Sequence, residues 1–264
     1  MSIYRLNHTL RFPPVHLAAE DGLLAVGGDL SADRLLTAYS QGIFPWPHDD
    51  LPLLWFAPEK RMALEPKEVR VSRSLRARLR RENFEVRFDT DFSGVIRGCA
   101  TSARLDQDGT WIDSGMVAAY TRLHELGFAH SVETWLDGDL IGGLYGVSLG
   151  GVFFGESMFS READASKIAF VTLAHRLAAK SFRLIDCQMH TDHLESLGAT
   201  LRSRRTYMQE LSEGLSRPTM RGCWTAADEV LEVRTPRLVT SACGPPAAPT
   251  RPAAAPGRHF RTQA

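Results

Sequence analysis

The chain of 264 residues is 44% hydrophobic and 23% charged, so it can bury a substantial core in one large domain or two smaller ones. Its 31 basic and 31 acidic residues give a formal net charge of zero. This balance excludes a globally basic nucleic-acid-binding protein and leaves any RNA contact to a local patch.

Three features of the sequence predict the cellular compartment. No apolar run approaches the roughly 18–20 residues that a membrane span needs, and residues 1–11 lack the apolar core of a signal peptide. The four cysteines are scattered without a Cys-x-x-Cys pair, which indicates free thiols rather than a disulfide framework. We therefore expect a soluble cytoplasmic protein with no membrane association.

Residues 1–64 are dense in proline, glycine and tryptophan and predict a small irregular N-terminal domain. Ser31 is a good cap for an amphipathic helix over Ala32–Ser40. A stiff aromatic loop over residues 42–47 and a second apolar stretch, Leu51–Phe56, should follow it.

A basic amphipathic helix is predicted just after this segment. Its apolar stripe, at positions i, i+4 and i+8, consists of Val71, Leu75 and Leu79. A second stripe on its outer face consists of Arg73, Arg76 and Arg80.

Residues 65–235 otherwise follow an α/β pattern. Helices are predicted over Asp91–Ala100, Met116–Leu126 and Ala163–Lys180. Strands are predicted over Phe84–Phe88, His130–Trp135, Leu140–Val147, Gly151–Phe154 and Arg183–Met189, with tight hairpin signals between the middle three. An antiparallel meander, a helix and a further strand follow one another in N-acetyltransferase-like (GNAT) acyltransferases, so we expect an α+β domain with a mostly antiparallel central sheet. Residues 236–264 are rich in proline and alanine and predict a disordered tail.

Three groups of residues are the chemical candidates. Residues 155–160, Gly-Glu-Ser-Met-Phe-Ser, are predicted to lie between a strand and a helix. In the strand at 184–188, alternation puts Asp186 and Gln188 on one face and turns Cys187 away. Aromatic residues predicted on loops form the third group: Trp46, Trp111 and Tyr120.

Several segments resemble the leucyl/phenylalanyl-tRNA–protein transferase family, in one order and at similar spacing between about Phe12 and Tyr207. They are residues 23–30 (LLAVGGDL), 42–46 (GIFPW), 109–112 (GTWI), 129–133 (AHSVE), 155–160 (GESMFS) and 184–188 (LIDCQ). Leu144 stands where the family often has methionine, a volume-conserving change that should preserve the pocket.

The resemblance implies transfer of Leu or Phe, with Met as a further candidate, from aminoacyl-tRNA to the α-amine of proteins with N-terminal Arg or Lys, which marks them for N-degron degradation. It implies that Asp186 is an acid/base or orienting carboxylate, Gln188 a hydrogen-bonding relay or donor, and Glu156 a holder of the incoming ammonium or basic side chain. The ester is already activated, so the enzyme chiefly positions two substrates and manages protons. No cofactor and no metal is implied.

The resemblance also assigns the binding residues. An apolar pocket for the donor side chain would be lined by Leu144, Phe153, Gly155, Met158 and Ile185. Trp46 and Trp111, with Tyr120 nearby, are suited to the terminal adenosine, because bases stack on aromatic rings. The exposed arginine stripe, Arg73, Arg76 and Arg80, would face the tRNA backbone.

Other interpretations stay open. Asp186 and Gln188 could be a structural pair, and the arginines a solvated helix face. His190, Asp192 and His193 lack the spacing of a metal site. The rival functions are an acyl-coenzyme-A-dependent N-acyltransferase on the same fold and a non-catalytic RNA-binding adaptor. Acidic residues before the central helix argue against the first rival, since that position would cradle a pyrophosphate.

Overall fold

The computed structural model describes residues 3–48, 51–102, 112–225 and 237–238. The predicted disordered tail therefore lies outside the described residues, apart from the short strand Arg237–Leu238. Among the described helices, none combines the length and the apolar character needed to cross a membrane.

The N-terminal part forms a four-stranded sheet. Its strands are β1 (Tyr4–Leu6), β2 (Leu23–Gly27), β3 (Phe44–Trp46) and β4 (Leu54–Phe56), in the order β1-β2-β4-β3. Helix α1 (Ala32–Ser40) joins β2 to β3, as predicted. The predicted aromatic loop contains β3, because Phe44 and Trp46 pair with β4. Trp55 is fully buried and donates from Nε1 to the Gly27 carbonyl at 2.8 Å.

A second, eight-stranded sheet forms the centre of the structure. Its strands are β5 (Lys60–Leu64), β6 (Glu85–Phe88), β7 (Ala129–Leu136), β8 (Asp139–Leu149), β9 (Val152–Ser160), β10 (Leu184–Gln188), β11 (Thr200–Ser203) and β12 (Arg237–Leu238). The order is β11-β5-β10-β9-β8-β7-β6-β12, and only the pairs β9–β10 and β6–β12 are parallel. The predicted mixed α/β fold with a mostly antiparallel central sheet is confirmed.

The remaining helices are α2 (Arg73–Arg81), α3 (Phe92–Thr101), α4 (Ser114–Glu125), α5 (Ala165–Ala179), α6 (Asp192–Ser196) and α7 (Arg204–Leu215). Five of them begin at caps whose side-chain oxygens accept backbone N–H groups: Ser72 for α2, Asp91 for α3, Asp113 for α4, Thr191 for α6 and Ser203 for α7. Two one-turn 3-10 helices, Val15–Leu17 and Pro66–Glu68, occur in connections.

Alternating residues of the central strands divide the core between two faces of the sheet. Phe154 and Tyr145 pack with α3 and α4 on one face, and their neighbours Phe153 and Leu144 pack with α5 on the other. Helix α5 is apolar around most of its circumference because it is covered by the sheet and by neighbouring segments. Side chains from the two faces can therefore contact each other only where the alternation along a strand is interrupted.

Several sequence predictions need correction. Residues 155–160 do not form a loop; they are the second half of β9, which pairs with β8 over its whole length. Tyr120 lies on α4 rather than on a loop. The division at residue 64 stays a prediction, but β5, which it assigns to the N-terminal part, is hydrogen-bonded within the larger sheet.

The cysteine prediction holds for two residues. Cys99 and Cys187 are buried and are not disulfide-bonded. Cys223 is disulfide-bonded, so the expectation of free thiols is wrong there. Cys243 lies outside the described residues.

Gly146 and Gly155 face each other across β8 and β9, next to a register shift, and differ in the space around them. A Cβ at Gly146 would lie 2.2 Å from the Phe154 carbonyl oxygen, whereas one at Gly155 would lie 3.5 Å from the Asp186 carbonyl oxygen. Gly146→Ala should therefore lower the free energy of unfolding by about 1–3 kcal/mol, because overpacking displaces backbone. Denaturant unfolding measures the loss. Gly155→Ala is the matched control and should stay near wild type; equal losses would contradict the prediction.

Candidate active site

A cavity of about 810 Å³ opens beside the central strands β8, β9 and β10. The structure brings all five predicted pocket residues together in its wall: Leu144, Phe153, Gly155, Met158 and Ile185. Phe170 and Leu173 of α5 add to its apolar lining. The sequence did not single out these two, because they look like ordinary residues of a buried helix.

Aromatic strand β3 forms another side of the cavity through Phe44, Pro45 and Trp46. The half-buried Trp46 packs 6.2 Å, centroid to centroid, from both Phe44 and Phe56. Its predicted partner Trp111 lies outside the described residues. Tyr120 does not line the cavity; it is fully buried behind Glu156.

Glu156 is a carboxylate in the cavity wall, and only 8% of it is exposed. Its Oε2 accepts from the Tyr120 hydroxyl at 2.8 Å, and its Oε1 accepts from the Gln188 side-chain amide at 3.1 Å. The Tyr120 hydroxyl is also hydrogen-bonded to that of Tyr39 on α1. Burial raises the pKa of Glu156 to about 7, although hydrogen bonds to its charged form oppose the shift. This group can therefore exchange a proton near neutral pH.

Asp186 is fully buried and does not line the cavity. It forms a two-pronged ion pair with Arg61, whose Nε and Nη2 donate at 2.8 and 2.7 Å. The Tyr207 hydroxyl donates at 2.8 Å and the Gln188 backbone N–H at 2.9 Å. Four donors thus hold the carboxylate, which leaves it poorly placed to take a proton from a substrate.

Arg61 lies between aromatic rings. Its guanidinium carbon is 4.4 Å from the ring centre of Phe44 and 4.9 Å from that of Tyr207. Burial works against its charge, but Asp186 outweighs burial and holds the pKa of Arg61 above its ordinary value. Such a buried pair is tolerated when its hydrogen bonds are well satisfied.

Gln188 connects the two carboxylates. The pairing of β10 with β5 shifts register between Asp186 and Gln188, and Gln188 has a φ of 58°. This conformation is uncommon for a residue other than glycine. It lets the Gln188 main chain donate to Asp186 while the side chain donates to Glu156 in the cavity wall. The prediction that Asp186 and Gln188 share one face while Cys187 turns away is wrong. The register shift turns Gln188 into the cavity wall, which Cys187 also lines, whereas Asp186 stays outside it.

Sequence reasoning missed three members of this network: Tyr39, Arg61 and Tyr207. Arg61 stands beside the apolar run Met62-Ala63-Leu64 in β5. A charged residue next to a buried run requires a buried partner, and that requirement was the available signal. Tyr39 and Tyr207 carried no local signal beyond their places on apolar helix faces.

The predicted basic helix is confirmed as α2, anchored by the buried Leu75. Arg73, Arg76 and Arg80 are exposed, as predicted. Arg78 instead turns inward and pairs with Glu82 at 2.9 Å. The three exposed arginines thus present positive charge to solvent.

An exposed cluster of His190, Asp192 and Glu195 has ligand-type atoms within 4.8 Å of one another. His190 lines the mouth of the cavity and shares a hydrogen bond with Glu195 at 2.9 Å. His193, which is near these residues in sequence, is not a member of the cluster. Exposed acidic groups of this kind occur commonly without a metal, and we assign none.

Comparisons with known proteins match most of the chain. The family model described as "Leucyl/phenylalanyl-tRNA protein transferase" matches residues 63–212, and the one described as its "N-terminal domain" matches residues 28–59. A leucyl/phenylalanyl-tRNA–protein transferase of Syntrophus aciditrophicus is 55% identical over 88% of this chain and 97% of its own. The protein of the same name from Nitrosospira multiformis is 59% identical over 76% of this chain and 88% of its own. Among solved structures, L-PGS from Bacillus licheniformis aligns with a TM-score of 0.39 and 9% identity over 71% of each chain.

Removing the cation of the buried pair should be costly. Arg61→Met leaves Asp186 buried without its counter-charge and should lower the free energy of unfolding by about 3–5 kcal/mol. Denaturant unfolding at pH 7 checks this. Arg122→Met is the control, because Arg122 pairs with Glu125 at 2.8 Å on the surface, where ion pairs contribute little. A loss for Arg61→Met no larger than for this control would contradict the prediction.

Proposed function

The chain belongs to the leucyl/phenylalanyl-tRNA–protein transferase family, an aminoacyltransferase family, and from this premise we propose the substrates and residue roles that follow. The enzyme transfers Leu or Phe, with Met as a further candidate, from aminoacyl-tRNA to the α-amine of proteins that begin with Arg or Lys. We further propose that it acts in the cytoplasm and marks such proteins for the N-degron pathway.

The observation that carries the proposal is an apolar cavity with a proton-exchanging carboxylate in its wall. A volume of about 810 Å³ falls in the usual range of ligand pockets, with room for the donor side chain and part of the adenosine. Leu144, Phe153 and Met158 supply apolar surface for that side chain. An apolar slot separates similar side chains by only about 1–3 kcal/mol per methylene, which agrees with the acceptance of more than one amino acid.

The adenosine is proposed to stack against Trp46 at the cavity wall, with Trp111 as its second aromatic partner. Stacking on an aromatic ring contributes roughly 1–3 kcal/mol per base and needs no specific hydrogen bond. Tyr120 is buried, so its role is to hold Glu156 rather than to touch the nucleoside.

The reaction forms a bond from the acceptor nitrogen to the ester carbonyl carbon and breaks the bond from that carbon to the ribose oxygen. The acceptor nitrogen loses two protons in all, of which one ends on the ribose oxygen as it leaves and the other in solvent. The first must leave the ammonium before the nitrogen can attack. Glu156 is the proposed group that receives the ammonium and takes this proton, since its carboxylate is in the wall and its pKa is near 7. Gln188 orients Glu156 and supplies an amide donor at the site of charge development.

Asp186 is proposed as an orienting group rather than a base. It is enclosed by Arg61 and Tyr207 and acts on the site by binding the Gln188 backbone N–H. In this arrangement the reaction at Glu156 depends on Asp186 only because Asp186 holds Gln188 in position, and Asp186 itself takes no proton.

The rival functions receive less support. A coenzyme-A pyrophosphate would need positive charge before α5, but Glu162 and Asp164 stand there. An RNA-binding adaptor would have no use for the Glu156 network.

The direct test measures transfer of labelled Leu from charged tRNA to a peptide that begins with Arg. A peptide that begins with Ala is the control for the acceptor, and leucyl-coenzyme A is the control for the donor. Transfer from leucyl-coenzyme A alone, or tRNA binding without transfer, would overturn the proposal.

The pH dependence of transfer tests Glu156. Because the pKa of Glu156 is raised to about 7, its basic form accumulates as pH rises through 7, and kcat/KM for the peptide should rise over the same range. The acceptor α-amine titrates near 7.7–8.0. In Glu156→Gln the rise should follow only this amine, and transfer should fall by roughly 10²–10⁴-fold.

The control for this experiment is Glu133→Gln. Burial also raises the pKa of Glu133 to about 7, but Glu133 binds Thr90 and Ser131 away from the cavity. Its substitution should leave the pH profile of transfer unchanged. A wild-type profile in Glu156→Gln would remove the proposed role.

The exposed arginines of α2 are proposed to meet tRNA phosphates. In the triple Arg→Ala variant of Arg73, Arg76 and Arg80, the slope of log affinity against log salt should fall by roughly 0.7–0.9 for every phosphate that is no longer neutralised. An aminoacyl-adenosine donor lacks the tRNA body and should be used equally by variant and wild type. Equal impairment with both donors, or unchanged binding of tRNA, would contradict a docking role.

A further inference from the structure

The segment after α7, residues 217–225, folds back onto the central sheet and is held there by specific hydrogen bonds. Thr219 accepts the Gly150 N–H at 2.8 Å through its hydroxyl. The Gly222 N–H donates to the Gly127 carbonyl at 3.1 Å, and a Cβ at Gly127 would lie 2.4 Å from the Gly222 nitrogen. This close approach shows that the segment has a defined place, although it lies beyond the residues matched by the family model, which end at 212.

Trp224 is the anchor of this segment and is only 3% exposed. Its backbone N–H donates to Asp89 at 2.6 Å, and its indole Nε1 donates to the Met220 carbonyl at 3.2 Å. The indole stacks on His130 of β7, with centroids 3.8 Å apart and planes inclined by 11°. His130 is in turn held by Asp89 at 2.9 Å. The position and the orientation of the indole are therefore both fixed.

The indole also supports the wall of the cavity. Its ring centre is 6.0 Å from that of Phe153, which is fully buried and lines the cavity. Trp224 itself does not line the cavity. It also contacts Arg176 of α5, the helix that contributes Phe170 and Leu173 to the same wall. Trp224 is thus packed behind two of the elements that form the donor pocket.

We propose that Trp224 is a positioning residue that sets the depth of the aminoacyl pocket and so the choice between donor side chains. Interiors are close-packed, so the position of Phe153 depends on what lies behind it. Removing the indole leaves space that the surroundings fill only in part. Phe153 can then withdraw from the cavity, and the deepened pocket favours the larger donor side chain. This inference rests on the proposed donor pocket.

The test measures kcat/KM for Leu-tRNA and Phe-tRNA in parallel with one Arg-peptide acceptor. Trp224→Ala should shift the ratio toward Phe by roughly 3- to 10-fold, since an apolar slot discriminates by volume. Trp224→Phe keeps an aromatic ring in place and so preserves the fold. It should shift the ratio toward Phe by a smaller factor. Measuring the melting temperature of each variant separates the shift from a loss of stability.

The matched control is Trp135→Ala, because Trp135 lies on β7, the strand that carries His130, but contacts Arg87 and does not line the cavity. It should lower transfer of both donors equally or not at all. An unchanged Leu-to-Phe ratio in both Trp224 variants, or the same shift in Trp135→Ala, would overturn the inference. Absence of transfer by the wild-type enzyme would instead overturn the proposed function, so the two failures are distinguishable.

Discussion

The buried ion pair of Arg61 and Asp186 is the interaction on which the site depends. A charge in the interior is stable only when it is paired and its hydrogen bonds are complete. The Tyr207 hydroxyl from α7 and the Gln188 N–H from the strand end complete the hydrogen bonds of the carboxylate, and the Phe44 ring from β3 covers the guanidinium. One pair therefore fixes the relative positions of elements that are distant in sequence.

Two neighbouring carboxylates, Asp186 and Glu156, have different environments, because Arg61 pairs with Asp186 alone. Asp186 keeps its partners and acts as a structural charge, whereas Glu156 has neutral hydrogen-bond donors and a raised pKa. Neighbouring carboxylates whose different environments give them different roles are a recurrent arrangement in acid–base sites. Gln188, bound to both, makes the proposed chemistry at Glu156 sensitive to the geometry at Asp186.

The parts of the fold that could be predicted are those whose signals are local. Helices α1 and α2 follow from their apolar spacing, although the Ser31 side chain, predicted to cap α1, makes no capping hydrogen bond. The strands around Asp137-Gly138 follow from alternation and hairpin residues. The pocket residues were predicted through resemblance to the family. The shared face of Asp186 and Gln188 was predicted from strand alternation and was wrong, because the strand register shifts between these two residues. The prediction for the second half of β9 was wrong because Glu156, Ser157 and Ser160 give it the polarity of a loop. Its pairing with β8 outweighed that local preference.

Partners that meet only through the fold could not be predicted. Arg61 is separated from Asp186 by 125 positions and Tyr39 from Tyr120 by 81, and no spacing rule relates residues so far apart. Trp224 carries no signal of its own either, because nothing in its local sequence distinguishes a buried indole from a solvent-exposed one.

The hydrogen-bonded chain Tyr39–Tyr120–Glu156 has a consequence for how the protein unfolds. Tyr39 belongs to α1 beside the small sheet, and Phe44 of the same part covers Arg61, so the hydrogen-bonded network around Glu156 and Asp186 is assembled from both portions of the chain. Separating the two portions would expose apolar rings and leave buried polar groups without partners. The two portions should accordingly melt in a single cooperative transition, with the network and the fold lost at the same temperature.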